Sequence, residues 1–385
     1  MQIKTLNKIA ACGLERFGAA YTVGDDVAEP NGILVRSASL HEAELPESLL
    51  AIARAGAGVN NIPLDRCSEA GVVVFNTPGA NANAVKELIL AGMLISSRKV
   101  IDAIEWAKTL KGQGAEVTKL VEKGKAQFAG PEIKGKKLGV IGLGAIGGLV
   151  ANAAHSLGME VYGFDPFLSV DAAWSLSRGV RHAASREQIF AECDYITVHT
   201  PLTPETKDMF CAASFATMKD GVRILNFARA ELVNAADMKE ALASGKVAAY
   251  VVDFPTDEVL GVPGVIAIPH LGASTPESED NCAVMAVDEL KAYLEDGVIR
   301  NSVNFPSVDV PRSTDHRLCV LHRNIPNMLT GISGAVSAEG INIETMTNRS
   351  KKDYAYTILD VVGDPSDESL DKIRAIDGVI RLRKI

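Results

Sequence analysis

From Gly32 onward short apolar, β-rich runs alternate with stretches that read as helices or loops: Ile33-Leu34-Val35, Leu50-Ala51-Ile52-Ala53 and Val72-Val73-Val74-Phe75 are the first three. Alternation of this kind predicts a parallel sheet, since each strand must be followed by a crossover before the next can lie beside it. Residues 84–98 form an apolar run without proline and read as a helix, after which the chain turns polar and Gly/Lys-rich through 111–137. That shift marks a crossing into a second domain.

The second domain carries β signals at 138–141, 160–164, 195–198, 222–227, 249–253 and 265–268. Strands so separated by helical stretches predict a doubly wound, Rossmann-type parallel sheet. Residues 281–296 read as a helix returning to the first domain, and 304–312 as a linker. Residues 317–385 then run strand, helix, strand, strand, helix, strand, the β-α-β-β-α-β order of a ferredoxin-like module. The expected domains are 1–92 with 283–305, 93–282, and 314–385.

Composition narrows the function. A 385-residue chain with 47% hydrophobic residues can bury a core in each domain. The net charge of −9 argues against a nucleic-acid partner held through phosphates, and the one basic run, Arg381 to Lys384, reads as a solvated edge. The six cysteines are scattered singly, which points to a reducing compartment and to no metal site. No apolar stretch approaches the ~20 residues that span a bilayer, so a soluble, cytoplasmic protein without a membrane partner is expected.

The candidate chemistry begins at Gly142-Leu143-Gly144-Ala145-Ile146-Gly147, directly after strand 138–141 and opening a helix. Gly142 and Gly144 let the backbone approach a pyrophosphate at a helix N-terminus, and Gly147 permits close helix packing. Asp165, after strand 160–164, can accept from both ribose hydroxyls of NAD and would repel a 2′-phosphate. The plain alternative is a glycine-rich turn followed by a surface aspartate. A second constellation is Arg229, Glu258 and His270, each following the C-terminal end of a predicted strand. In a parallel sheet those ends share one edge with the pyrophosphate site, so residues distant in sequence converge there. His270 suits the proton transfer that accompanies oxidation of a secondary alcohol, Glu258 suits a hydrogen-bonded partner that fixes its tautomer, and Arg229 suits a substrate carboxylate or keto oxygen. Singly, each also reads as an ordinary surface side chain.

With Lys136 to Gly144, His199 to Thr206, Asn226 to Arg229 and Pro269 to Thr275, the chain resembles the D-isomer-specific 2-hydroxyacid dehydrogenases over about residues 30 to 300. The resemblance implies an α/β fold with a flavodoxin-like substrate-binding domain beside the Rossmann domain. It makes Arg229, Glu258 and His270 catalytic in the roles above. It places NAD against Gly142, Gly144, Ala145, Ile146, Gly147 and Asp165, and adds Thr200, Pro201, Ala228, Asp253, His270 and Gly272 to the cofactor contacts.

Val35 to Ala38, Arg54 to Asn61 and the C-terminal module draw the resemblance toward members that act on a phosphorylated acid. Their implied reaction is NAD-dependent oxidation of 3-phospho-D-glycerate to 3-phosphohydroxypyruvate, the first step of L-serine synthesis. The amides of Gly56, Ala57 and Gly58 would hold the substrate carboxylate, and Arg36, Ser37, Arg54 and Asn81 its phosphate, with Arg229 on the reacting end. The C-terminal module resembles an ACT domain, which implies L-serine as effector bound between paired ACT modules at His322, Asn324 and Asn342, and a homo-oligomer, dimer or tetramer. Rival readings are reduction of hydroxypyruvate, glyoxylate or 2-oxoglutarate, and a non-catalytic NADH-sensing interaction protein. Departures from the family pattern are Ala145 for an arginine, Ala230 for a glycine, the Val251 to Phe254 register and Asn327 for a glycine in the ACT turn. Asparagine tolerates positive φ, so that turn is expected to survive.

Overall fold

The computed structural model describes residues 1–385. The chain divides into two compact units, Met1–Asn81 with Pro276–Ile385, and Ala82–Thr275. The division falls at Asn81/Ala82 and Thr275/Pro276 instead of inside the helices at 92 and 282 or in the polar stretch 111–137. Each long helix, Ala82–Arg98 and Pro276–Asp296, therefore belongs whole to one unit, as its continuous hydrogen-bond ladder favours. The second of these starts five residues before the expected 281, with proline at its first position and Glu277 and Glu279 in its first turn, both favourable at a helix N-terminus.

The first unit contains a five-stranded parallel sheet of β1 (Gln2–Leu6), β2 (Thr22–Gly24), β3 (Gly32–Val35), β4 (Ala51–Arg54) and β5 (Val73–Phe75), in the order β2-β1-β3-β4-β5. This is the flavodoxin-like order. Strands β3 and β5 are buried along their whole length, which is why they read as uninterrupted apolar runs. β1 and β2 lie ahead of the first β signal in the sequence; their apolar residues, Ile3, Leu6 and Val23, stand singly among polar ones and glycine, which hides them. The segment read as a linker is tucked into this unit. Phe305 is fully buried, and the buried Asn304 accepts from Val74 N (2.9 Å) while donating to Val72 O (2.9 Å) and Ser68 Oγ (3.2 Å).

The second unit is built on a parallel sheet of β6 (Lys137–Ile141), β7 (Glu160–Phe164), β8 (Arg181–His182), β9 (Tyr195–Val198), β10 (Val222–Asn226), β11 (Val247–Val252) and β12 (Val265–Ala267). The order β12-β11-β10-β9-β6-β7-β8 reverses between β6 and β9, the doubly wound arrangement with its switch point there. β8 is an exposed two-residue edge strand with no apolar run to announce it.

The C-terminal module has β13 (His316–Arg323), β14 (Asn342–Lys351), β15 (Tyr354–Val362) and β16 (Val379–Lys384) as an antiparallel sheet in the order β14-β15-β13-β16, with helices Met328–Ser337 and Asp367–Arg374. This ferredoxin-like order is compatible with an ACT domain. Asn327 opens the first helix at φ 69°, so asparagine serves in the left-handed position. The basic tail is a correction. Arg381 donates to Leu49 O (2.6 Å) and Ala70 O (3.0 Å), and Arg383 to Tyr293 O (3.0 Å) and Leu294 O (2.7 Å). These guanidinium groups satisfy carbonyls at the ends of elements in the rest of the first unit, where solvation was expected. No helix is long and apolar enough to cross a membrane.

Candidate active site

The carboxyl ends of β6, β7 and β9 to β12 gather the predicted groups of the second unit. After β6 the chain turns at Gly142, whose φ of 89° and close approach to His199 O exclude a side chain. A Cβ on Gly147 would overlap the Gly142 carbonyl oxygen, so this glycine seats the helix Ala145–Ser156 against the loop. Gly144 is different: a Cβ there would meet no protein atom within 4 Å. No side chain caps this helix, leaving the amides of Ala145, Ile146 and Gly147 without partners. Asp165 ties the loop down, accepting from Leu143 N and from Phe167 N, both at 2.9 Å. Each carboxylate oxygen keeps a further lone pair.

Two buried oxygens at the same edge lack partners. One is Thr200 Oγ1, in the turn after β9 that Thr206 holds by donating to Pro201 O (2.7 Å). The other is Asp253 Oδ1, just past β11. Asp253 is 2% exposed, and burial pushes its carboxyl up to about 7. Its other oxygen lies 3.5 Å from where a Cβ on Gly272 would stand, which brings that loop against it. An open cradle at Gly144, free helix amides and two orphaned buried oxygens fit a dinucleotide that supplies the missing partners.

Arg229 is placed by Asn226, a fully buried amide that donates to Arg229 O (2.8 Å) and to Tyr250 Oη (3.2 Å) and accepts from Ala228 N (3.1 Å). The exposed guanidinium donates to Ala228 O (2.7 Å) and lies 5.4 Å from the Phe254 ring centre. On the same ring sits the His270 imidazole, with centroids 4.2 Å apart. Phe254 thus brings Arg229 and His270 together, a role the sequence did not disclose beyond an aromatic residue after a strand end. Partial burial, and then the Arg229 charge, hold His270 below its usual 6.5.

Glu258 is the exception. The expected hydrogen bond to His270 is absent; Phe254 covers the ring, and the turn over Thr256 to Leu260 faces Glu258 into a cavity of about 390 Å³ with Lys207, Glu231, Asn234, Tyr250 and Thr256.

In the first unit the segment after β4 forms a second cradle. The carbonyls of Gly56, Ala57 and Gly58 all accept from the protein, from Thr77 N (3.1 Å), Asn76 Nδ2 (2.5 Å) and Arg54 Nη1 respectively. With carbonyls turned inward, the amides of Ala57 and Gly58 stay unpaired, while the Gly56 amide is already used by Arg54 O (2.9 Å). Two of the three expected donors are therefore free. Arg54 also donates from Nε to Arg36 O (2.9 Å), so it clasps two strand ends before it could reach a phosphate. Asn7, in a left-handed conformation (φ 70°), accepts from Ser37 N (2.9 Å) and Ala38 N (2.8 Å) and shapes the turn that carries Arg36. Nothing in the sequence pattern singled it out. Asn81, partly buried in the turn between β5 and the helix Ala82–Arg98, makes no side-chain hydrogen bond.

Within one module the expected effector residues lie apart, as a site shared between paired modules requires. His322 is 2% exposed, with Nδ1 on Arg323 O (2.7 Å) and Nε2 on Thr357 Oγ1 (2.8 Å), so both ring nitrogens are spoken for. Asn324 donates to Lys352 O (3.1 Å). Asn342 pairs with Val362 whereas His322 pairs with Ala355, which puts them at opposite ends of the sheet, roughly 20 Å apart at the usual strand rise.

Comparison with known proteins agrees with this geometry. Residues 90–272 match the family model for the D-isomer specific 2-hydroxyacid dehydrogenase NAD-binding domain. The chain is 30% identical over 379 residues to a D-3-phosphoglycerate dehydrogenase of Haemophilus influenzae, covering 94% of this chain and 88% of that one. It is 30% identical over 351 residues to the D-3-phosphoglycerate dehydrogenase of Escherichia coli K12, covering 88% and 82%. The NAD+-bound 3-phosphoglycerate dehydrogenase of Entamoeba histolytica shares the fold, with a TM-score of 0.58 at 24% identity over 79% of this chain and 98% of that one. The chain belongs to the D-isomer-specific 2-hydroxyacid dehydrogenases, a family of NAD-dependent oxidoreductases.

Proposed function

We propose that the protein oxidises 3-phospho-D-glycerate to 3-phosphohydroxypyruvate with NAD. The observation that carries the substrate is the cradle after β4: two unpaired amides for a carboxylate, with Arg36 and Arg54 at adjacent strand ends for an anion at the far end. Its relatives from Haemophilus influenzae and Escherichia coli, which bear that activity's name, support the same reading.

The Gly142–Gly147 turn, Asp165, Thr200 and Asp253 would hold NAD, which when bound would supply the hydride acceptor. The hydroxyl proton passes to a ring nitrogen of His270, which its depressed pKa keeps neutral and ready near pH 7. Arg229 holds its guanidinium beside that ring, where it can polarise the oxygen as charge develops. Glu258 has no bond to His270 and takes no part in this step. Both ring nitrogens of His322 are engaged, so L-serine bound there would have to displace one of these bonds.

A homo-oligomer belongs to the same reading: helix Val100–Lys108 buries none of its own residues and exposes Val100, Ile101 and Ile104. An Ile104→Asp variant is expected to sediment as a smaller species.

The test is the rate of NADH oxidation with 3-phosphohydroxypyruvate against hydroxypyruvate, glyoxylate and 2-oxoglutarate. A kcat/KM at least tenfold higher for the phosphorylated ketoacid supports the proposal; an equal or better rate with an unphosphorylated one overturns the substrate and leaves the family chemistry intact.

A further inference from the structure

Arg36, the first candidate for the substrate phosphate, is not a free cation. Its Nη2 lies 2.7 Å from Glu279 Oε1, in the first turn of the helix Pro276–Asp296, with the two side chains 42% and 45% exposed. The neighbouring Arg54 has spent Nε and Nη1 on backbone carbonyls. Resting on the reading of Arg36 as the phosphate donor, we propose that Glu279 sets how strongly this site discriminates for a phosphorylated acid: it occupies Arg36 in the unliganded protein, and an incoming phosphate must displace it or share the guanidinium with it.

A phosphate ester is dianionic near neutral pH, and a carboxylate in contact with its anchoring arginine repels it and competes for the same donors. An unphosphorylated hydroxy acid, held by the Ala57 and Gly58 amides alone, meets no such competition. Because the pair is nearly half exposed, solvent screens it, and the effect on affinity is about threefold to tenfold. The plain alternative is an acid serving the positive end of the helix and an incidental surface pair. Glu277 in the same turn already serves the helix end, which leaves Glu279 without that necessity.

The test compares Glu279→Gln with wild type as the full chain. The KM for 3-phosphohydroxypyruvate is expected to fall about threefold to tenfold, with kcat unchanged and the KM for hydroxypyruvate moved less than twofold. The inhibition constant of inorganic phosphate should fall in parallel, which a purely structural role would not produce. In an Arg36→Ala background the same substitution should change neither. Thermal unfolding of each variant checks the fold, and phosphate-induced stabilisation of Glu279→Gln gives a second readout independent of turnover. An unchanged or raised KM together with an unchanged phosphate constant overturns the inference while leaving the substrate reading standing. If wild type fails on the phosphorylated ketoacid, the substrate reading falls; Glu279→Gln then gaining that activity still supports Glu279 as the excluding residue, and no gain overturns both.

Discussion

Between Arg229 and His270 stands a phenyl ring, and the reactivity of the histidine follows from it. Phe254 covers one face of the imidazole and carries the guanidinium whose charge also disfavours protonation. With His270 as the proposed proton carrier, oxidation would need the neutral ring and should hold its rate to below pH 6.5, while ketoacid reduction would need the protonated ring, so its kcat/KM should fall as pH rises through a value below 6.5. Phe254→Ala readmits water to the ring and should move that inflection upward toward 6.5; a pH profile that does not move would refute the role. His199 gives a stability counterpart. Burial pushes it down to about 3, and its Nε2 lies 3.0 Å from Thr197 Oγ1. Between about 3 and 6.5 the unfolded chain binds this proton and the folded one does not, so stability present above 6.5 is lost as pH falls. By linkage, wild type should lose about 1 kcal/mol more than His199→Asn between pH 6.5 and 5.5 in urea unfolding. Arg229, His270, Asp165 and the glycines were legible because chemistry dictates residue type at a strand end. Phe254, Asn226 and Asn7 act by position alone, and a lone aromatic or amide has no pattern that distinguishes it.

At the scale of elements, the glycine turn separates two reasons for having no side chain. Gly147 answers to the protein, since its Cβ would overlap Gly142 O; Gly144 answers to whatever approaches from outside, since its Cβ would touch nothing. Gly147→Ala should therefore lower the melting temperature and abolish cofactor binding together. Gly144→Ala should leave the melting temperature within a degree or two and raise the NADH dissociation constant at least tenfold by fluorescence titration; loss of stability there would place the constraint inside the protein. The buried strands of both parallel sheets were legible because burial on two faces forces continuous apolar runs. β1, β2 and β8 were not: β1 buries only Ile3 among mixed residues, and β2, half-buried, and β8, exposed, are short edges whose pairing comes from the neighbouring strand rather than from their own composition.

At the scale of the molecule, what the sequence concealed is how the C-terminal module joins the first unit. The β-α-β-β-α-β order was plain, but a tail of arginines is indistinguishable from a solvated edge until the carbonyls it caps are seen. The joint centres on Arg317 and Asp360, both wholly buried. Arg317 Nε lies 2.6 Å from Asp360 Oδ1 and Nη2 2.9 Å from Oδ2, and the remaining donors reach Asp296 O, Val310 O and Pro311 O. Burial alone would raise the Asp360 carboxyl, yet the bonds from Arg317 and Ser313 hold it below the usual range. Three of the arginine's acceptors thus lie in the segment that precedes the module and one at the heart of its sheet, which makes the pair a rivet rather than a surface decoration. Breaking it from one side leaves a buried, uncompensated charge, so Asp360→Asn should cost about 3–5 kcal/mol. Replacing both partners by apolar residues, Arg317→Met with Asp360→Leu, should cost far less than the single change, because the desolvation penalty disappears with the charges. Urea unfolding followed by far-ultraviolet circular dichroism and by Tyr fluorescence should show the module and the first unit melting together in wild type. Asp360→Asn is expected to separate them into two transitions; a single unshifted transition in that variant would mean that the arginine capping contacts of β16 hold the joint without the buried pair.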